Sequence, residues 1–139
     1  MTKGRKFDGM SPKLYQLVLE NGAYKVTGTD PQLIFDVSRF NLSGREAGLL
    51  MFDFGCMAKT AEPRIQVFWW GDDRGEPSEQ FSIKFTADEG SLIVPLDASP
   101  RWLTMKYIKG IRIDLDNASA CGAFSVTNLG LFQRYLSEY

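Results

Sequence analysis

The sequence predicts an all-β chain, an antiparallel β-sandwich of jelly-roll type, and three observations carry that prediction. Residues 47–57, 65–70, 80–86 and 91–96 are strand-length runs rich in Phe, Ile, Val and Trp, separated by clusters of Pro, Gly, Asp and Glu. No helical segment intervenes, so strand follows strand. Residues 109–132, KGIRIDLDNASACGAFSVTNLGLF, alternate apolar and polar side chains twice, with turn formers between the two alternations. About eight or nine strands at regular spacing, without internal repeat or low-complexity linker, fit two packed antiparallel sheets.

A chain of 139 residues with 44% hydrophobic side chains can bury a core as one domain without metal or disulfide staples. Residues 13–139 are read as that sandwich domain. Residues 1–12, polar and glycine-containing, are read as a flexible N-terminal tail.

Residues 13–20, KLYQLVLE, fit neither period cleanly and lean to strand. Asn21-Gly22 is a two-residue turn, since both positions tolerate positive φ, and residues 23–27 become its hairpin partner. Gly28-Thr29-Asp30-Pro31 is a further turn, residues 32–37 a short strand and residues 38–45 a loop. Residues 48–55 are apolar almost throughout, as in a strand that is central or buried on both sides. In 65–70, Ile65, Val67 and Trp69 share one side while Phe68 and Trp70 take the other. In 80–86, Phe81, Ile83 and Phe85 alternate with Gln80, Ser82, Lys84 and Thr86, which leaves one wet face. Residues 102–107 are another short apolar segment, with Trp102 as a core anchor at a strand start. The last two strands read as a hairpin-like pair with Ile111, Ile113, Phe124 and Val126 inside.

Composition excludes several chemistries. The formal charge is −1 and the basic N-terminal stretch MTKGRK is short, so nothing points to nucleic acid. No apolar stretch reaches the length of a membrane span and no signal-peptide core is visible, so a cytoplasmic location is expected. Histidine is absent, which removes the commonest general base and transition-metal ligand. Cys56 and Cys121 are the only thiols. Cys56 reads as a small buried hydrophobe, and the two can form a disulfide if their strands are neighbours.

The order VTGTDPQLIFDV, LLMFDFG, RIQVFWWGD, EQFSIKFTA, SLIVPLD and IKGIRIDLDNASACGAFSVTNLGLF resembles the galactose-binding-like β-sandwich modules found beside glycosyltransferase domains in bacterial polysaccharide biosynthesis proteins. The resemblance covers residues 23–133, and its most specific part is the late strand carrying Arg112 and Asp114. Where such modules read Arg-Leu-Asp-Pro, this chain has Arg112-Ile113-Asp114-Leu115. The resemblance implies a non-catalytic accessory module with a glycan or sugar ligand, a glycosyltransferase domain as partner and, as in some galactose-binding-like folds, a structural calcium ion.

Sugars present flat C–H faces ringed by hydroxyls, so their sites pair an exposed aromatic plane with carboxylates, amides and Arg. Trp70, Asp72, Asp73 and Arg74 are the candidate ligand site, with Trp70 as platform and Gly71 letting the acidic loop fold alongside. The alternative is that both tryptophans of the run pack in a two-sided core. Arg112 and Asp114 lie on one strand face, too oblique for an ideal mutual pair, but each can meet an opposite charge on a neighbouring strand, and structural pairing is the reading preferred to ligand contact. For calcium, Asp72, Asp73 and Glu76, or Asp114 and Asp116, offer hard oxygen ligands without an EF-hand pattern. A glycosidase pair drawn from Asp53, Asp72, Asp73 and Glu79 is the enzyme alternative, unsupported by any phosphate loop or nucleophile elbow. The non-enzymatic alternative is an interaction domain that packs an aromatic face against a partner or a second copy.

Overall fold

Two antiparallel sheets face each other across a shared apolar core. The computed structural model describes residues 4–7, 10–58, 62–72, 77–116 and 121–134. Its strands are β1 Gly4–Lys6, β2 Lys13–Tyr15, β3 Leu17–Glu20, β4 Ala23–Val26, β5 Gln32–Asp36, β6 Leu49–Cys56, β7 Arg64–Gly71, β8 Ser82–Thr86, β9 Gly90–Pro95, β10 Ile108–Leu115 and β11 Ala123–Phe132. One sheet runs β3-β4-β11-β6-β9, with β1 also paired to β11; the other runs β2-β5-β10-β7-β8. The expected all-β sandwich is the observed fold.

The core is built from the inward rows that period-two alternation supplies. Ile65, Val67 and Trp69 of β7, Ile111, Ile113 and Leu115 of β10, and Leu33 and Phe35 of β5 point inward from the five-stranded sheet. Leu50, Phe52 and Phe54 of β6 and Phe124, Val126 and Leu131 of β11 meet them from the other. Trp69 and Trp102 are fully buried and stack edge to face at 5.5 Å. Cys56, at the end of β6, and Cys121, just before β11, form a disulfide.

Several elements differ from the sequence reading. Residues 13–20 are two strands in opposite sheets, β2 and β3, with Gln16 at φ 55° between them. One left-handed residue breaks the alternation, which is why no single period fits the octet. After it, Asn21 and Gly22, at φ 51° and 80°, close the β3–β4 hairpin as expected. Within the stretch read as a tail, β1 pairs with the end of β11, and Phe7 is buried against Phe35 and Phe40. A single aromatic anchor draws that segment onto the sandwich.

Trp102 is the core anchor expected of it, but it sits in a helical turn, Pro100–Leu103, not at a strand start. Pro100 occupies the first turn, where its missing N–H costs nothing. The hairpin-like pair is also corrected: β10 lies between β5 and β7, whereas β11 lies between β4 and β6 in the other sheet. Alternation identifies the buried face of a strand, not its neighbour, so both arrangements satisfy the same pattern. β6 is central, as its apolar run suggests, yet its burial alternates and its outer face stays partly open.

Candidate functional site

The outward face of the five-stranded sheet combines a partly open aromatic ring with a carpet of hydrogen-bonded polar side chains. Inward pointing of Val67 and Trp69 turns Gln66, Phe68 and Trp70 of β7 outward. Their cross-strand partners on β10 are Asp114, Arg112 and Gly110. On the other side of β10, Gln32, Ile34 and Asp36 of β5 continue the rows, and β2 adds Tyr15 and Lys13. Beyond β7, Lys84 pairs with Gln66, and Ser82 with Phe68.

Trp70 owes its position to Gly110. A β-carbon at Gly110 would overlap the indole, so the ring lies down on the sheet over this glycine. Its exposure is intermediate, and it does not belong to the buried core that holds Trp69.

Asp72 follows Trp70 by two residues and turns the chain with φ 51°. Its carboxylate accepts the backbone N–H groups of Tyr107, at 2.8 Å, and Lys106, at 3.0 Å, while Lys109 Nζ donates to its carbonyl at 3.0 Å. Asp72 therefore fastens the end of β7 to the segment entering β10. Asp73 and Arg74 lie outside the described residues, as does Glu76 of the calcium expectation.

Arg112 and Asp114 are structurally paired, as preferred, though not with charges on neighbouring strands. They pair with one another, Nε to Oδ1 at 2.8 Å and Nη2 to Oδ2 at 2.9 Å. The guanidinium reaches this geometry by lying over the Phe68 ring, 4.1 Å from its centroid, so an aromatic on the adjacent strand supports the oblique reach. Burial pushes the Asp114 carboxyl up to about 6; Arg112 pulls it down, and Asp30 and Asp116 add to the rise.

Around this pair the polar side chains hold each other. Gln66, almost wholly buried, donates to Glu79 Oε2 and Ser82 Oγ, both at 2.9 Å, and Ser82 donates to the Glu79 carbonyl at 2.7 Å. Gln32 donates to Asp30 at 2.8 Å. Sequence reasoning missed Gln32, Gln66 and Ser82 as members of the face. Ser82 gave a signal, read only as the wet face of residues 80–86, whereas Gln32 and Gln66 are single polar residues among mostly apolar ones in their strands.

Of the carboxylates weighed for glycoside hydrolysis, Asp73 lies outside the described residues, and Asp53, Asp72 and Glu79 do not converge. Asp53 lies on the outer face of the other sheet, where Ser91 and Asn128 donate to it at 2.7 Å each and hold its carboxyl below the usual range. Sheets pack about 10 Å apart, so outward side chains on opposite faces cannot share a glycosidic bond. Glu79 neighbours Gln66, six residues along from Asp72 and thus about 20 Å away on an extended strand. Among the described residues, no three acidic or cysteine side chains cluster as metal ligands, and no helix is long and apolar enough to cross a membrane.

The architecture and this face define a β-sandwich with one polar-aromatic sheet surface. Comparison of the sequence with known protein families finds no match, and comparison with curated proteins finds none either. Solved structures do match. The chain is similar to a point mutant of a family 29 carbohydrate-binding module, at 15% identity and TM-score 0.62, over 96% of this chain and 93% of that one. A low-affinity xylan-binding module of family 86 from Roseburia intestinalis matches at 9% identity and TM-score 0.59, over 94% of each chain. A family 11 module from Clostridium thermocellum, in complex with a β-1,3-1,4-mixed-linked tetrasaccharide, matches at 16% identity and TM-score 0.53, over 94% of this chain and 87% of that one. At such identities the shared property is the β-sandwich fold.

Proposed function

We propose that this domain is a non-catalytic carbohydrate-binding module whose ligand lies on the outward face of the five-stranded sheet. The observation that carries the reading is the Trp70 indole laid over Gly110 beside the Arg112–Asp114 pair: a flat apolar plane next to hydrogen-bonding groups. Such a pairing matches the two sides of a pyranose, its C–H face and its hydroxyl rim. That the solved structures similar in fold are carbohydrate-binding modules supports it. In this reading Trp70 is the platform, Asp72 positions the loop behind it, and Asp73 and Arg74 extend the site. The resemblance in sequence adds the setting: an accessory module of glycan biosynthesis, beside a glycosyltransferase domain.

A second reading rests on the opposite sheet. There Ile93, 61% exposed, Met51, Leu49, Pro95 and Phe132 form two adjoining cross-strand apolar rows. Such a patch suits a protein partner. Isothermal titration of the full chain with a panel of oligosaccharides, repeated with Trp70→Ala and with Ile93→Lys, separates the two. Sugar binding lost only in Trp70→Ala supports the module; no sugar binding, with self-association abolished by Ile93→Lys, supports the scaffold.

A further inference from the structure

Three apolar side chains on the outward face of the five-stranded sheet fall on one straight line. Ile34 of β5 is partly exposed there and Tyr15 of β2 is 48% exposed, and like Trp70 neither belongs to the core cluster. Gly110 is in register with Asp36, Ile34 with Arg112 and Lys13, and Tyr15 with Gln32. The Trp70 indole lies over Gly110, so from the ring to Ile34, and again from Ile34 to Tyr15, the line advances by one strand and one pair of residues. Each step is about 8 Å and the whole about 16 Å. Phe68, the other outward aromatic of β7, is buried beneath the Arg112 guanidinium and stands off this line.

The margins of the line are polar and of both signs. Arg112, partly exposed, and Gln32, largely buried, stand on one side; Asp36 and Lys13, both exposed, stand on the other. Asp36 accepts the backbone N–H and hydroxyl of Ser38 and keeps its charge, while Arg112 is paired with Asp114. Neither sign therefore sets a field along the line. What it offers is an acceptor and several donors beside a run of apolar surface, the mixture that uncharged hydroxyls need.

We infer that the ligand is an uncharged linear glycan longer than a disaccharide, lying along this diagonal with Tyr15 as a second platform and Ile34 as the apolar midpoint. The inference rests on the sugar-binding reading above and narrows it to chain length and direction. A linear glycan presents its C–H faces in series and its hydroxyls along both margins, as the diagonal does. A disaccharide is too short to touch both rings; a hexasaccharide is long enough.

The test is isothermal titration of the full chain with xylo-, cello- and mannooligosaccharides, each as disaccharide and hexasaccharide, and with a glucuronic-acid-bearing xylohexaose. At least one neutral hexasaccharide is expected to bind about tenfold tighter than its disaccharide, the gain that a second stacked ring brings. Tyr15→Ala should remove that gain, and Tyr15→Phe, which keeps the ring, should retain it. In the parent chain, where no substitution can disturb the fold, the ring resonances of Tyr15 should shift on adding the hexasaccharide. Equal affinity for both lengths, unchanged hexasaccharide affinity in a folded Tyr15→Ala, or unmoved Tyr15 resonances overturns the diagonal, and the sugar reading then stands on the binding lost in Trp70→Ala. Tighter binding of the carboxylated xylohexaose than of the neutral one overturns the uncharged ligand. If no oligosaccharide binds at any length, the inference and the sugar reading fall together.

Discussion

Arg112 and Asp114, two residues apart on β10, form a bidentate pair above the Phe68 ring, with the carboxylate side chain only 9% exposed. Removing one partner strands the other. Arg112→Ala leaves a nearly buried carboxylate unpaired, and the expected cost at pH 7 is about 2–3 kcal/mol. At pH 5 the stranded Asp114 can take up a proton and become neutral, so the cost should shrink. Urea unfolding at both pH values checks this; an equal penalty at pH 5 and 7 would contradict the burial argument.

The same carboxyl gives the intact domain an unusual pH dependence. Its folded value, raised to about 6 by burial, exceeds the ordinary 3.8, so the folded chain holds this proton more tightly than the unfolded one. The stabilisation is fully present below the unfolded value and is lost as pH rises through about 6, amounting to about 3 kcal/mol at most. Asp36, Asp53 and Asp97 are shifted downward and act oppositely, losing stability as pH falls below about 4. Stability should therefore be greater at pH 5 than at pH 7 and fall again in stronger acid. Asp114→Asn should flatten the slope between pH 5 and 7; retention of the slope would assign it to another group.

Reduction of the Cys56–Cys121 disulfide is a third test. The crosslink spans a sequence separation of 65 residues, which in the chain-entropy account restrains the unfolded state by about 4 kcal/mol. Both cysteines are buried at the junction of β6 and β11, so Cys56→Ala with Cys121→Ala should lower the melting temperature yet keep the β-type circular dichroism at room temperature. Loss of β structure in the variant would make the disulfide a condition of folding. Since such bonds persist in oxidising compartments, the redox state of the protein taken directly from cells bears on the expected cytoplasmic location.

Asp72 separates a structural acid from a ligand contact. Its carboxylate accepts two backbone N–H groups, so Asp72→Ala should destabilise by about 1–2 kcal/mol. Asp72→Asn keeps an acceptor and tolerates the left-handed backbone, and should recover part of that loss. If both variants unfold like the parent and instead lose ligand, Asp72 belongs to the binding surface.

The sandwich was legible because its central strands alternate cleanly: Ile111 and Ile113 against Arg112 and Asp114, Val67 and Trp69 against Phe68 and Trp70. The same alternation correctly turned Trp70 away from the core. Strand partnership was not legible, because a buried face is satisfied equally within a sheet or across the core, and β10 and β11 therefore looked like a pair. Nor was the break at Gln16, where one left-handed residue without glycine moves the chain between sheets. The polar carpet escaped notice because its members are scattered over β2, β5, β7, β8 and β10, and only the register brings Gln32, Asp114, Gln66 and Lys84 into one row.

The register also supplies a test of the platform that leaves the platform residue in place. Trp70 lies over Gly110 because no side chain stands there, so Gly110→Ala forces the indole up or aside while its chemistry is unchanged. A stacked sugar depends on the orientation of the ring plane, and such stacking is worth about 1–3 kcal/mol by analogy with base stacking. Gly110→Ala should therefore weaken glycan binding about tenfold, approaching the effect of Trp70→Ala, since one tenfold step is about 1.4 kcal/mol. Both variants should retain the fold, as Trp70 stands outside the core cluster. Binding by titration and melting by calorimetry decide the matter together. If Gly110→Ala leaves affinity intact while Trp70→Ala abolishes it, the ring touches the ligand in another pose; if neither changes affinity, the glycan lies elsewhere on the domain.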